Sequence, residues 1–242
     1  MKRLIVIGLI ALVLTSCVIQ VGHGYYDEDL SYYNEAMLYQ VCDLGQLEVS
    51  VSGAEIELEG SDDEIIDLVV GFNECRPGDA RIYIENGKIK ARSISGKQVS
   101  ITKIEGEIPQ WLNLKISNTS GNIDISDMQD SHKIYVSSSS GNVSVEDSEA
   151  AELDIQVGSG NVCLIDNSAY EAKIRAGSGN VYLEDSEINS IDIQVGSGNI
   201  TFKDCELDYG SVTTGSGDII LKDSDYYDVD FKVGSGVIRH LR

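Results

Sequence analysis

The sequence predicts an all-β protein, a single-stranded parallel β-helix (β-solenoid) with about 19 residues per coil. Three observations carry this expectation. A Ser-Gly pair recurs with its glycine at Gly121, Gly141, Gly160, Gly179, Gly198, Gly217 and Gly236, one step of 20 followed by steps of 19. Apolar and polar residues alternate between these pairs with the period of a half-buried strand. Finally, like residues return at like offsets in successive units, as stacking of units too small to bury their own apolar faces requires.

The elements of one coil follow in order. Leu153, Ile155 and Val157 alternate with Asp154 and Gln156, giving a first strand. The Gly-Ser-Gly at 158–160 interrupts it, and Val162 and Leu164 then face inward from a second, shorter strand. Asp166 opens a turn, beyond which Ala150, Ala169, Ile188, Leu207 and Tyr226 form a mostly apolar set that predicts a third short side. Ile174, Ile193, Val212 and Phe231 fall under Ile155, and Val181, Ile200 and Ile219 under Val162. Leu183, Phe202 and Leu221 fall under Leu164. An antiparallel meander satisfies the alternation too, but gives no reason for residues two strands apart to match. Right-handed winding is the default for parallel crossovers.

Each corner has a residue-level expectation. Gly158, Gly177, Gly196, Gly215 and Gly234 stand where the coil turns, a place for positive φ. Asn142, Asn161, Asn180 and Asn199, followed by Asp218, predict a ladder in which each side chain bonds the next coil, a buried amide being tolerable when so paired. Asp127, Asp147, Asp166, Asp185, Asp204 and Asp223 form a second column. Aspartate there can fix an Asx-turn; alternatively, carboxylates about 4.8 Å apart form a row that binds Ca²⁺. Outside this Ca²⁺ alternative the sequence implies no cofactor.

Three regions are expected along the chain. Residues 1–16 read as a lipoprotein signal peptide, since Lys2 and Arg3 precede an apolar run from Leu4 to Leu14 that is too short to span a bilayer. "LTSC" resembles a lipobox, which makes Cys17 the lipidated residue and the membrane a partner through that lipid. Residues 17–45 form a tyrosine-rich acidic tether or N-terminal cap, and 46–242 the solenoid, with an irregular insertion around 71–110. Asn86-Gly87 within the insertion predicts a type I′ hairpin, and Trp111 is expected to pack beneath it. Cys42 and Cys75, outside the repeats, could pair in an oxidising envelope. The last coil shows no cap, so its open strand edges make a homodimer an expectation as well.

Charge and motifs exclude several functions. Without the signal segment 16 basic residues stand against 40 acidic ones, a formal charge of −24 that disfavours nucleic acid. The Gly-Ser-Gly is neither a P-loop nor a dinucleotide fingerprint. His23, His132 and His240 are far apart and no C-x-x-C occurs, so neither a metal centre nor a catalytic residue is expected. A polysaccharide-acting β-helix would need clustered basic and acidic groups on one face, which the columns do not supply.

"IPQWLNLKISNTSGNIDI" (108–125) and the "SGNV" units after it resemble the bacterial putative-adhesin families of unknown function, including the adhesin-like head domain of β-helix lipoproteins. The resemblance covers roughly residues 46–242. It implies a β-helix in the bacterial cell envelope, extracytoplasmic and acting as a non-catalytic module that binds an unknown protein or glycan. A structural scaffold assembling end to end is the alternative.

Overall fold

The computed structural model describes residues 32–242 in full and the backbone of residues 17–21. The expected signal segment 1–16, together with His23, Tyr25 and Tyr26, lies outside the described residues, and of Cys17 only the backbone is described. The chain enters through β1 (Cys17–Val21) and β2 (Tyr32–Val41) and makes a first coil from β3 (Gln46–Val51) and β4 (Glu55–Ser61). It then leaves the coil path for β5 (Ile65–Glu74), β6 (Ala80–Glu85), β7 (Lys88–Ser93) and β8 (Val99–Pro109). Seven regular coils follow. They are β9 (Asn113–Asn118) with β10 (Ile123–Ser126), β11 (Ser131–Ser140) with β12 (Val143–Glu146), β13 (Glu149–Ser159) with β14 (Val162–Ile165), and β15 (Ser168–Ser178) with β16 (Val181–Glu184). The last three are β17 (Glu187–Ser197) with β18 (Ile200–Lys203), β19 (Glu206–Ser216) with β20 (Ile219–Lys222), and β21 (Asp225–Ser235) with β22 (Ile238–Leu241).

The short strands stack in parallel as one sheet, in the order β4-β10-β12-β14-β16-β18-β20-β22, and the long strands as the other, β3-β9-β11-β13-β15-β17-β19-β21. The register is the one the columns require: Ile155 pairs with Ile174, Ile174 with Ile193, Ile193 with Val212, and Val212 with Phe231. Val162, Val181, Ile200 and Ile219 stack likewise. These inward side chains have essentially no exposed surface down to Val212 and Ile219. Each contributes roughly 1.5–3 kcal/mol by leaving water, and only because a neighbouring coil covers it. The meander is excluded.

Three local features differ from expectation. The third side is hydrogen-bonded into the long strand, which bends where Tyr170 and Glu171 both face outward between the buried Ala169 and Ala172. At the Gly-Ser-Gly corner the positive φ belongs to the second glycine, with 143° at Gly160, 129° at Gly179 and 146° at Gly198. The first glycine serves close approach instead, since a methyl group on Gly177 would collide with the carbonyl oxygen of Gly158 in the coil before it.

Residues 62–109 build the N-terminal end. Strand β8 lies parallel on β4, and β5 and then β2 add antiparallel, so the short-strand sheet continues with reversed polarity. The β6–β7 hairpin extends the other sheet and turns at Asn86 (φ 51°) and Gly87 (φ 73°), both left-handed as a type I′ turn demands. Between these extensions Phe72, Leu68, Ile82 and Ile104 are fully buried.

Candidate functional site

The first corner carries the asparagine column on its outside. The backbone N–H of Asn161 donates to Oδ1 of Asn142 at 3.0 Å, that of Asn180 to Asn161 at 2.9 Å, and that of Asn199 to Asn180 at 2.9 Å. Asp218 N–H continues the series onto Asn199. The bonds run from main chain to side chain rather than amide to amide, and the side chains are exposed rather than buried. This column is a brace along the exposed edge of the solenoid, and at its start the Asn142 amide also donates to Oδ1 of Asn122 at 3.4 Å.

At the second corner Asp127, Asp147, Asp166, Asp185, Asp204 and Asp223 all adopt φ between 48° and 56°. Aspartate is among the few residues that tolerate this left-handed conformation, so backbone geometry accounts for the column. Their N–H groups bond carbonyls of the following coil, as Asp166 does with Glu184 at 3.1 Å. The side chains are exposed, and among the described residues no group of three or more His, Cys, Asp or Glu converges as a metal site.

Sequence reasoning missed the ladder directly behind these aspartates. Ser148, Asn167, Ser186 and Cys205 are buried, with Ser224 below them at the end. Asn167 accepts from Ser148 N–H at 3.2 Å and donates to the carbonyls of Val145 (2.7 Å) and Ile165 (2.9 Å). Ser186 and Ser224 donate to the carbonyls two residues back and accept the N–H of Asn167 and Cys205. Burial pushes the Cys205 thiol up, so it serves here as a small, neutral member of the ladder. The recurring Asp-Ser, Asp-Asn and Asp-Cys dipeptides were its signal.

The structure does not bring Cys42 and Cys75 together, and both are free thiols. They flank opposite ends of the ten-residue β2–β5 ladder, which runs from Val41 opposite Ile65 to Tyr32 opposite Glu74. That separation is about 30 Å, far beyond the reach of a disulfide. What fixes the loop after β5 is Glu74, buried and accepting from Asn34 (2.5 Å), Gly78 N–H (2.6 Å) and Ala80 N–H (2.7 Å). Asp79, in the same loop, accepts from Ser93 at the end of β7 and from Ser95 just beyond it, bonds that hold its carboxyl below the usual range. Trp111 is 38% exposed rather than covered by the inserted strands.

The outward columns form the side faces. On the short-strand face Lys203 bonds Glu184, which also accepts from the Tyr182 hydroxyl at 2.6 Å. The lysine and the tyrosine bonds pull Glu184 down, and the carboxylate in turn pushes the Tyr182 hydroxyl up to about 12. Nearer the N-terminus Glu105, Glu57 and Asp124 are direct cross-strand neighbours. Burial, followed by repulsion from Glu57 and Glu146, raises Asp124. On the long-strand face Lys173 pairs with Glu171 at 2.8 Å rather than with Asp154 or Asp192 of its own column, and Arg175 reaches Asp192 at 3.3 Å. Along the bend of the long strands the exposed aromatics gather: Tyr170 (65% exposed), Tyr209 (44%) and Tyr227 (89%). The hydrogen bond that the Tyr209 hydroxyl donates to Tyr170, ahead of desolvation, raises Tyr209, and between them Asn189 donates to Asp208 at 3.0 Å.

The family model described as Toastrack DUF4097 matches residues 109–241, from the last residue of β8 to the last of β22. The chain belongs to the Toastrack DUF4097 family. Its seven regular coils are the Toastrack part, and the asparagine brace, the buried ladder and the tyrosine strip all lie within it. No curated protein matches the chain. Among solved structures, a putative adhesin from Parabacteroides merdae aligns with a TM-score of 0.55 at 14% identity, covering 89% of this chain and 98% of that one. A putative lipid binding protein from Parabacteroides distasonis aligns with 0.54 at 15% identity and the same coverage. Such identities speak for the fold alone, but the coverage shows that the shared fold extends beyond the Toastrack coils. The adhesin-like family expected from the repeats is the one found, and a non-catalytic binding module fits it.

Proposed function

We propose that this Toastrack protein is an envelope lipoprotein, held by a lipid on Cys17, whose rigid solenoid displays the strip around Tyr170 and Tyr209 as a non-catalytic, adhesin-like binding face for glycan. The observation that carries this reading is the gathering of exposed tyrosines on one bend of an otherwise charged and hydroxyl-rich surface. Aromatic rings offer large, rigid contact area with a polar tip, suited to the apolar face of a sugar ring. The Asn189 amide and Asp208 carboxylate beside them offer a donor and an acceptor for hydroxyl groups. The rings also lie on coils two repeats apart, about 10 Å of backbone, so a chain of sugars can touch both. The adhesin name of one structural neighbour supports the same reading.

The experiment is a glycan-array and cell-binding assay with the full chain and its Tyr170→Ala/Tyr209→Ala variant. Binding by the parent and at least a tenfold loss in the variant, with melting unchanged, supports the reading. Equal binding by both, or binding by neither, overturns it. In the same cells Cys17→Ser releases the protein from the membrane fraction if the anchor is as proposed.

A further inference from the structure

The last coil differs from the six before it in what covers it. Tyr226 stands over Leu207, Ile188 and Ala169, all buried, yet is 44% exposed; Ile238 stands over the buried Ile219 and Ile200 and is 38% exposed. His240 occupies the inward column of Leu221 and Phe202, its ring 5.7 Å from that of Tyr226. Val229, Phe231 and Val233 are only partly buried against the core. Strands β21 and β22 are also outermost in their two sheets, so both present a row of unpaired backbone N–H and C=O groups beside this apolar surface. Such edges template pairing with another chain.

The charges on the two edges are opposite. Strand β21 carries Asp225, Asp228 and Asp230 against Lys232, whereas β22 and the residue after it carry Arg239 and Arg242 with no acidic side chain. Lys232 is paired with Asp230 and Arg239 with Asp218 of the preceding corner, at 3.2 Å. A two-fold axis along the strands, midway between the edges, places β21 of one copy antiparallel on β22 of the other, so that the net-acidic strand meets the net-basic one twice. An axis perpendicular to the sheets instead stacks the net-acidic β21 on its own copy and the basic β22 on its own copy, which sets like net charge against like. Head-to-tail stacking fails for a different reason, because at the N-terminal end the strands are antiparallel and Phe72, Ile82 and Leu68 are already covered.

We propose that the face formed by β21 and β22 docks a second copy of this chain in a two-fold dimer, each acidic β21 lying antiparallel on the basic β22 of its partner. The interface is isologous and closes after two copies. A face about 35 Å long and one coil wide buries on the order of 1,000 Å² in total, the lower limit for a specific association. The dimer is therefore concentration-dependent. It does not depend on what the side faces bind.

Sedimentation velocity of the 242-residue chain in mild detergent, which keeps the apolar run from Leu4 to Leu14 from associating by itself, tests this. A monomer–dimer equilibrium is expected. Asp228→Lys/Asp230→Lys should weaken it about tenfold or more, as should Arg239→Asp/Arg242→Asp, and the four changes together should restore it. Hydrogen exchange of the parent gives a readout that needs no variant: amides of β21 and β22 should gain protection as concentration rises. A monomer at all concentrations, growth beyond two copies, indifference to reversal of one strand alone, or concentration-independent exchange would each overturn the proposal.

Discussion

The two ends of the solenoid close differently. At the N-terminal end the chain leaves the repeat, adds β8 in parallel and then β5 and β2 antiparallel, and adds the β6–β7 hairpin, so that large side chains such as Phe72 are fully buried. At the C-terminal end the repeat runs on unchanged to Leu241, 48% exposed, and Phe231 is only partly buried, its ring edge-on to Phe202 at 6.3 Å and to Tyr226 at 5.1 Å. A repeat makes a good interior because every coil covers the previous one, and for the same reason it cannot finish itself. Covering the end requires residues that break the pattern.

The largest expected effect follows directly. Phe72→Ala empties a closed core and should cost about 3–5 kcal/mol in urea unfolding, whereas Phe231→Ala at the open end should cost less than half of that. In a solenoid each coil is stabilised by its neighbours, so the second variant should also fray the last coil before the rest, visible as faster hydrogen exchange in β21 and β22 than in β15. Equal costs at the two positions would mean that the ends are equivalently packed.

The repeat was legible because stacking imposes one residue type per column, and Ile155, Ile174 and Ile193 show it without any coordinates. Dihedral angles leave a weaker trace. Both glycines of each Gly-Ser-Gly recur, and nothing in their spacing says that Gly179 needs the positive φ while Gly177 needs the missing side chain. The aspartate column was visible as well, but its cause is a left-handed backbone rather than the bond expected of its carboxylate. The N-terminal cap was readable least, because Glu74 draws its partners from Asn34, 40 positions earlier, and from the loop after β5. Such pairings follow from antiparallel register, which no repeat encodes. Cys42 and Cys75 failed for the same reason, since their distance is decided by the β2–β5 ladder. As for the tyrosine strip, the bend at Tyr170 and Glu171 interrupts the alternation that placed the other outward residues.

An intermediate effect separates the middle of the buried ladder from its end. Asn167→Ala leaves the carbonyl of Val145 and the N–H of Ser148 without their partners in a buried setting, and about 2–4 kcal/mol should be lost. Ser224→Ala at the last corner removes bonds to the N–H of Cys205 and the carbonyl of Lys222 where solvent is close, and about 1 kcal/mol or less is expected. Similar losses at both positions would show that burial does not grade the ladder from the middle to the end.

The smallest effect is electrostatic and belongs to the middle of the short-strand face, where the column Glu184, Lys203, Lys222 gives way to Leu241 at the open end. Glu184 is held below its ordinary 4.5, so its contribution is present above that value and fades as the pH falls through the lowered one. Tyr182 is raised from 10.0 to about 12 by its bond to Glu184, so its contribution is complete below pH 10 and disappears as the pH rises toward 12. Lys203 is raised as well and adds to the loss above 10.5. Glu184→Gln removes the carboxylate on which both partners depend. The gap in melting temperature between parent and variant should therefore be constant from about pH 6 to 9 and shrink on either side, and salt should narrow it throughout because the groups are partly open to solvent. A gap that persists below pH 3 would show that packing of Glu184, rather than its charge, holds the middle coils together.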